Sequence, residues 1–372
     1  MKKSLFYFAV SALALSACTS EEVLDESSSV QRNAIGFQNV VSKQSRAGEF
    51  DGVDITAANL KHFSVFGYYT NPNTPTQAVL VFNNELVSKG QNEQGQTTWN
   101  YDNTRYWVPG ANYCFYAYSC GDVKLNSNFG KFSMDTNQAQ ANDRVLKING
   151  YVCDVTHQHD LLFASRENVK PETDETGQNV TAGADVAFKF AHILSKIDTK
   201  FSSDFAPEYT VEIKNIMASN IRNVGDYDPK KDWYNQKRQS IDGVDPYVMV
   251  QGETAIVAQK GGTVTAVDGT TTVIEKKEPT SSFAFVLPHT YTSADVTLSF
   301  EIAVKKDDKL ILSRVLSGSW KPTWVTGHWY TYTIQITGDA ANLTPIMFTT
   351  ETDPITGWTS GETPSDIVFS AN

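Results

Sequence analysis

The sequence predicts an all-β protein of antiparallel sandwich type, and three observations carry the prediction. Strict alternation dominates the informative stretches: Val296, Leu298, Phe300, Ile302 and Val304 share one face, with Thr297, Ser299 and Glu301 on the other. Such a pattern sets one face of a strand on a core and the other in water. Turn residues punctuate the apolar runs, and helical spacing is scarce. At 372 residues and 40% apolar composition the chain can bury a core. A prior of about 150 residues per domain then favours two domains with tails to spare.

From the N-terminus, Lys2 and Lys3 precede a thirteen-residue apolar run, Leu5 to Ala17. A membrane-spanning helix takes about 20 residues, so residues 1–17 read as a signal peptide. The run ends Leu15-Ser16-Ala17-Cys18, which resembles the lipobox of bacterial lipoproteins and implies lipidation (palmitate among the acyl groups) at Cys18. Residues 18–46 follow as a tether and leader. The acidic stretch Glu21, Glu22, Asp25 and Glu26 is similar to the surface-export signal of Bacteroidetes lipoproteins, so the expected location is the outer face of the outer membrane. Further along, Ile35, Phe37 and Val41 lie on one face of an extended segment.

Strands are expected at His62 to Tyr69, Gln77 to Val87, Tyr113 to Ser119, Tyr209 to Ile216, Ala255 to Ala258, Thr263 to Val267, Phe283 to Leu287, Val296 to Val304 and Tyr330 to Ile336. Asn71-Pro72-Asn73, Asn83-Asn84, Gly261-Gly262, Asp268-Gly269 and Asp307-Asp308 read as turns, the last four as hairpins. Val186 to Phe201 fits helix or strand, and a short helix is possible near Gln138 to Val145. The polar stretch Glu167 to Ala184 reads as a linker, and Asn220 to Gly243 as a long loop. The expected domains are therefore 47–182 and 183–341, each a sandwich, with 342–372 as a tail. One echo bears on this division: Trp107-Val108-Pro109-Gly110-Ala111-Asn112-Tyr113 recurs as Trp324-Val325-Thr326-Gly327-His328-Trp329-Tyr330. A glycine turn feeding a strand, with Trp closing the end of the core, accounts for both copies.

Charge and motif content limit the function. A formal net charge of −11 argues against a nucleic-acid partner, because phosphate binding needs clustered Lys and Arg. No nucleotide-loop, nucleophile-elbow or zincin pattern is present, so no catalytic residue or cofactor is assigned and the chain is read as a non-enzyme. His157-Gln158-His159-Asp160 places two His on one face of a strand but lacks a third ligand at a recognised spacing, so no metal is assigned. Cys114, Cys120 and Cys153 read as buried small hydrophobes, with a Cys120–Cys153 bridge as the alternative. Trp99, Trp107, Trp320, Trp324, Trp329 and Trp358 would stack on sugars if exposed, which keeps a monomeric surface glycan-binding lipoprotein as the alternative function.

Taken in order, the segments resemble the fimbrillin family, the type V pilus subunits of Bacteroidetes. The segments are Asn33-Ala34-Ile35-Gly36-Phe37, Ser45-Arg46-Ala47-Gly48, Phe63 to Tyr68, Trp99-Asn100-Tyr101, Tyr106-Trp107, Phe115 to Tyr118, Asp160 to Ala164, Phe188 to Ile197 and Trp324 to Tyr332. The resemblance implies two transthyretin-like β-sandwiches in tandem and a structural or adhesive role in a cell-surface fimbrium. It implies that an Arg-specific protease cuts between Arg46 and Ala47, removing a leader strand that carries Ile35, Phe37 and Val41. It also implies that other pilus subunits are partners, one of which fills the opened groove with its C-terminal strand. Here that donor is expected to be Ile367, Val368 and Phe369 within Asp366 to Ser370, with Ile346 to Thr350 as an earlier part.

Overall fold

The computed structural model describes residues 34–39, 60–120, 129–138, 143–153, 158–184, 186–240, 247–250, 255–279, 283–292, 296–337, 348–349, 359–360 and 369–371. Within them the chain is all β. In chain order the strands of the first part are β1 (Phe37–Asn39), β2 (His62–Asn71), β3 (Thr74–Gln91), β4 (Thr97–Asn100), β5 (Asn112–Ser119), β6 (Lys131–Met134), β7 (Leu146–Val152), β8 (Leu162–Val169), β9 (Glu172–Thr173) and β10 (Val180–Ala182). Next come β11 (Val186–Phe188), β12 (Ala191–His192), β13 (Ser195–Ser203), β14 (Tyr209–Ser219), β15 (Val224–Asp228), β16 (Asp232–Lys237), β17 (Tyr247–Val250), β18 (Ile256–Ala258), β19 (Gly262–Thr265) and β20 (Thr271–Ile274). The last are β21 (Ala284–Val286), β22 (His289–Thr290), β23 (Val296–Lys306), β24 (Lys309–Trp320), β25 (Thr323–Trp324), β26 (His328–Ile336), β27 (Phe348–Thr349), β28 (Thr359–Ser360) and β29 (Phe369–Ala371).

The first large sheet has the order β12-β8-β5-β2-β3-β4. Its central strands are buried on both faces, which explains why Phe115-Tyr116-Ala117-Tyr118 is apolar without interruption. On one side Phe63, Val65, Tyr113, Phe115 and Ala117 meet Ile35, Phe37, Val186 and Phe188. On the other, Phe66, Tyr68, Tyr116 and Tyr118 face a second core built from β7, Tyr227, Trp233 and Phe285. Gly67 sits on the first side because a Cβ there would lie 2.7 Å from the Phe115 ring.

The second unit packs the sheet β21-β13-β26-β27 against the sheet β17-β14-β23-β24-β29. Its core takes Ile197 and Phe201 from β13, Val211 and Ile213 from β14, and the alternating positions of β23 and β26. The alternation seen in the sequence thus marks faces packed between two sheets. Of the four expected hairpin turns, Asp268-Gly269 and Asp307-Asp308 join paired strands. Asn83-Asn84 instead lies inside β3, where Asn84 has φ 58° and the register against β2 shifts. Gly261-Gly262 joins β18 to β19, which pairs with β20.

Segments read as irregular turn out to be paired. The expected linker folds into the β9–β10 hairpin, whose turn is organised by Asp174: its carboxylate accepts from Thr176 Oγ1 at 2.8 Å and Asn179 Nδ2 at 2.7 Å. The expected long loop contains the β15–β16 hairpin, which extends β6–β7 into a four-stranded sheet. Val186 to Phe201 is β11, β12 and most of β13, so the strand reading holds there. The site expected for a short helix near 138–145 falls partly outside the described residues. Strands from either side of residue 183 share sheets, as β12 pairs with β8 and β15 with β7.

The sequence echo is a structural one as well. In the first copy the Val108 N–H donates to Tyr113 Oη at 2.8 Å, and in the second the Val325 N–H donates to Tyr330 Oη at 2.9 Å. Gly110 and Gly327 take φ 67° and 70°, left-handed backbone that glycine tolerates best. Placing a Cβ on either costs about 1 kcal/mol. At Gly327 the new Cβ would also lie 3.1 Å from the His192 carbonyl oxygen, whereas nothing lies within 4 Å at Gly110. Urea unfolding is therefore expected to show a larger loss for Gly327→Ala than for Gly110→Ala.

Candidate functional site

The candidate site is the place taken by β1. Ile35 is 1% exposed and Phe37 5% exposed, both in the first core. Phe37 meets five aromatic rings: it stacks on Phe188 at 5.8 Å and approaches Phe63, Phe82, Tyr101 and Phe115 edge-on at 5.3 to 6.1 Å. Edge-on contacts of this kind add to the apolar burial of the ring. Gly36 points away from the core, and a Cβ on it would meet nothing within 4 Å. Ile35-Gly36-Phe37 therefore alternates in, out and in, as period two requires.

The backbone of this segment is held on both sides. β1 pairs in parallel with β11, Phe37 opposite Val186 and Asn39 opposite Phe188. On the other side Ala34 bridges Tyr106, the Ile35 N–H donates to the Arg105 carbonyl at 2.8 Å, and Tyr101 Oη donates to the Ile35 carbonyl at 2.7 Å. Burial pushes the Tyr101 hydroxyl above its usual range, so it stays a protonated donor at neutral pH. Residues 34–39 are thus an inserted strand between two neighbours, and withdrawing them would bare aromatic surface and backbone groups together.

The remaining sequence candidates are placed unevenly. Cys18, Val41, Arg46, Ala47, Ile367 and Val368 lie outside the described residues. The backbone of Phe369 lies in β29, which pairs with the edge of β24, Phe369 opposite Gly318 and Ala371 opposite Leu316. His157 lies outside the described residues, while Gln158 bridges the backbone of Phe285 and Asp160 binds His192 Nδ1. Among the described residues no group of three His, Cys, Asp or Glu side chains is placed to hold a metal. Cys120 and Cys153 are buried, Cys114 is half-buried, and none forms a disulfide. Trp107, Trp320, Trp324 and Trp329 are buried and Trp99 is half-buried, so four of the six tryptophans weighed for sugar stacking pack the interior.

Sequence reasoning missed Tyr101, the Arg105 carbonyl and β11 as neighbours of residues 34–39. The alternation of Phe188, Phe190 and His192 is what gives the strand reading of Val186 to Phe201, and it stands beside an equal helical spacing. No local pattern announces the parallel pairing of β11 with a strand about 150 residues away.

Among the described residues, then, β1 completes the first core of a β-sheet protein. The chain is a member of the fimbrillin-like family, whose sequence model matches residues 46–352. It is accordingly a pilus or adhesin subunit that works with other fimbrial subunits at the cell surface, and not an enzyme. Similar solved structures include a candidate cell adhesion protein of Bacteroides ovatus, with 14% identity, TM-score 0.42, and coverage of 86% of this chain and 95% of that one. A candidate cell adhesion protein of Bacteroides eggerthii has 12% identity and TM-score 0.39, covering 91% and 95% respectively. The fimbrial anchor protein Mfa2 of Porphyromonas gingivalis has 12% identity and TM-score 0.26, covering 81% and 90%. No curated protein matches the chain.

Proposed function

We propose that this subunit is exported as an outer-membrane lipoprotein through Cys18 and joins a fimbrium by strand exchange. An Arg-specific protease cuts between Arg46 and Ala47, and the leader with Ile35, Phe37 and Val41 departs. The vacated groove is filled by Ile367, Val368 and Phe369 of another subunit. One observation carries this reading: the segment that cleavage would remove includes a buried strand hydrogen-bonded on both sides. Its loss leaves aromatic surface and unpaired backbone, both unfavourable until a new strand pairs there. Ile367 and Phe369 repeat the spacing of Ile35 and Phe37, so a donor in matching register offers the same two residue types. Among the described residues β29 makes three register pairs with the edge of β24, and the tail's β27 and β28 make two each with β26, all of which a donated tail would give up.

In the same reading 47–182 and 183–341 form two transthyretin-like sandwiches. The repeated Trp-Val-x-Gly-x-x-Tyr turn, one copy in each, supports the division. β12 and the β15–β16 hairpin clasp the second unit to the first.

N-terminal sequencing of assembled fibres is expected to begin at Ala47, and any other start removes the cleavage assignment. A chain lacking 366–372 is expected to fold and remain monomeric after processing. Undiminished polymerisation would assign the donor role elsewhere.

A further inference from the structure

A cleft of about 380 Å³ opens where the turn after β14, the end of β16 and β22 meet. Arg222, Lys237, Arg238, Asn220, His289 and Tyr291 line it, and among the described residues no acidic side chain does. Three cations therefore converge in one concavity of a chain whose formal charge is −11. Like charges gathered in a concavity reinforce one another's field and attract an anion more strongly than the same charges on a flat surface.

The fold fixes the arrangement. The Arg222 N–H donates to Tyr291 Oη at 2.8 Å, and the Arg222 guanidinium donates to the Gln236 carbonyl. Arg238 Nη1 donates to Asn220 Oδ1 at 2.8 Å, on a turn where Asn220 has φ 64°. The buried Tyr291 ring stands edge-on to His289 at 4.7 Å. Burial first, and the Arg222 charge second, hold the His289 imidazole below its usual range, so at neutral pH it is an uncharged ring with one donor and one acceptor.

These groups divide into two kinds. Guanidinium forks match the paired oxygens of a carboxylate or sulfate. The imidazole, the Asn220 amide and the Thr290 and Thr292 hydroxyls suit the hydroxyls of a sugar ring. The volume falls within the range of about 300 to 1,000 Å³ typical of small-ligand pockets. Stacking on tryptophan, the usual means of holding a neutral sugar, is not offered by this lining.

We propose that this cleft binds an acidic unit of a glycan, a sugar bearing a carboxylate or a sulfate, and gives the subunit an adhesive function separate from assembly. The proposal does not rest on leader removal or strand exchange, because every lining residue is in place in the uncleaved chain.

The test is calorimetric titration of the full-length chain with glucuronic acid, a sulfated N-acetylglucosamine, neutral N-acetylglucosamine and inorganic sulfate. One or both acidic sugars are expected to bind, and the comparison between them identifies the anionic group. Neutral sugar should not bind, and inorganic sulfate should bind at least about tenfold more weakly than the better acidic sugar. Lys237 and Arg238 are exposed, so Lys237→Glu and Arg238→Gln should keep the wild-type melting temperature. Each should weaken binding roughly tenfold or more, as loss of a charge-assisted contact does. Failure of both acidic sugars to bind, equal binding of neutral sugar, equal binding of inorganic sulfate, or unchanged affinity in both folded variants would each overturn the proposal.

Discussion

Phe37→Ala is expected to destabilise the uncleaved chain by about 3 to 5 kcal/mol, the range for truncating a buried aromatic. The expectation rests on near-complete burial and on contact with Phe63, Phe82, Tyr101, Phe115 and Phe188, none of which belongs to the same strand. Once the ring is gone those five line a cavity that the rest of the sheet is too rigid to close. Gly36→Ala makes a matched control, since its Cβ meets nothing within 4 Å. Urea unfolding of the uncleaved chain, followed by tryptophan fluorescence, measures both. A loss below about 1 kcal/mol for Phe37→Ala would mean that β1 opens independently of the first core, and the groove would then need no proteolysis to become available.

The second large effect concerns Asp198 and pH. Asp198 is 0% exposed at the middle of β13, where the charge of Lys196 and the Thr199 N–H partly offset the burial of its carboxyl. Burial pushes its pKa from 3.8 up to about 7, while the charge of Lys196 pulls it partly back. Below about pH 4 the group is protonated in folded and unfolded chains alike and exacts no penalty. Between about pH 4 and 7 the folded chain keeps a proton that the unfolded chain has released, so stability falls as pH rises. Above about pH 7 the penalty is complete, at most about 4 kcal/mol for a shift of this size. Asp198→Asn is therefore expected to be more stable than the parent at pH 8 and to lose that advantage toward pH 4. A stability difference that is the same at both pH values would show that the carboxyl is not the titrating group.

Legibility in the sequence followed the range of the interactions involved. Val296 to Val304 and Tyr330 to Ile336 were plain because each alternates against one core, a local consequence of a two-residue period. The paired turns at Gly110 and Gly327 were visible because the whole element is local: the Val108 and Val325 N–H groups donate to the hydroxyls of Tyr113 and Tyr330 five residues on. The inward residues Ile35 and Phe37 were legible for the same reason. Their neighbours were not, since β11 and Arg105 reach them across the fold. The β15–β16 hairpin looked like a loop because its strands are polar and carry left-handed residues at Asp232 and Asn235. What stabilises it is distant: β15 pairs with β7, and the Trp233 indole N–H donates to the Ile193 carbonyl. In the Glu167 to Ala184 stretch, polarity suggested a linker, whereas Asp174 uses that polarity to close a turn. The basic cleft was hidden because Arg222, Lys237 and His289 are scattered along the chain and their convergence is a property of the sheets.

The pairing of β13 with β26 sets a timetable for the newly made chain. β13 runs parallel to β26, with Lys196 opposite Trp329 and Ser203 opposite Ile336, so its central hydrogen bonds await a segment synthesised about 130 residues later. Until then Ile197 and Phe201 have no finished sheet to lie in. Contacts this remote make folding slow, because the long intervening loop must close before any of them is rewarded. The sheet that holds β13 therefore cannot be completed until β26 has been made. Until that point the inward faces of β14 and β23 also lack the complete opposing sheet that covers them.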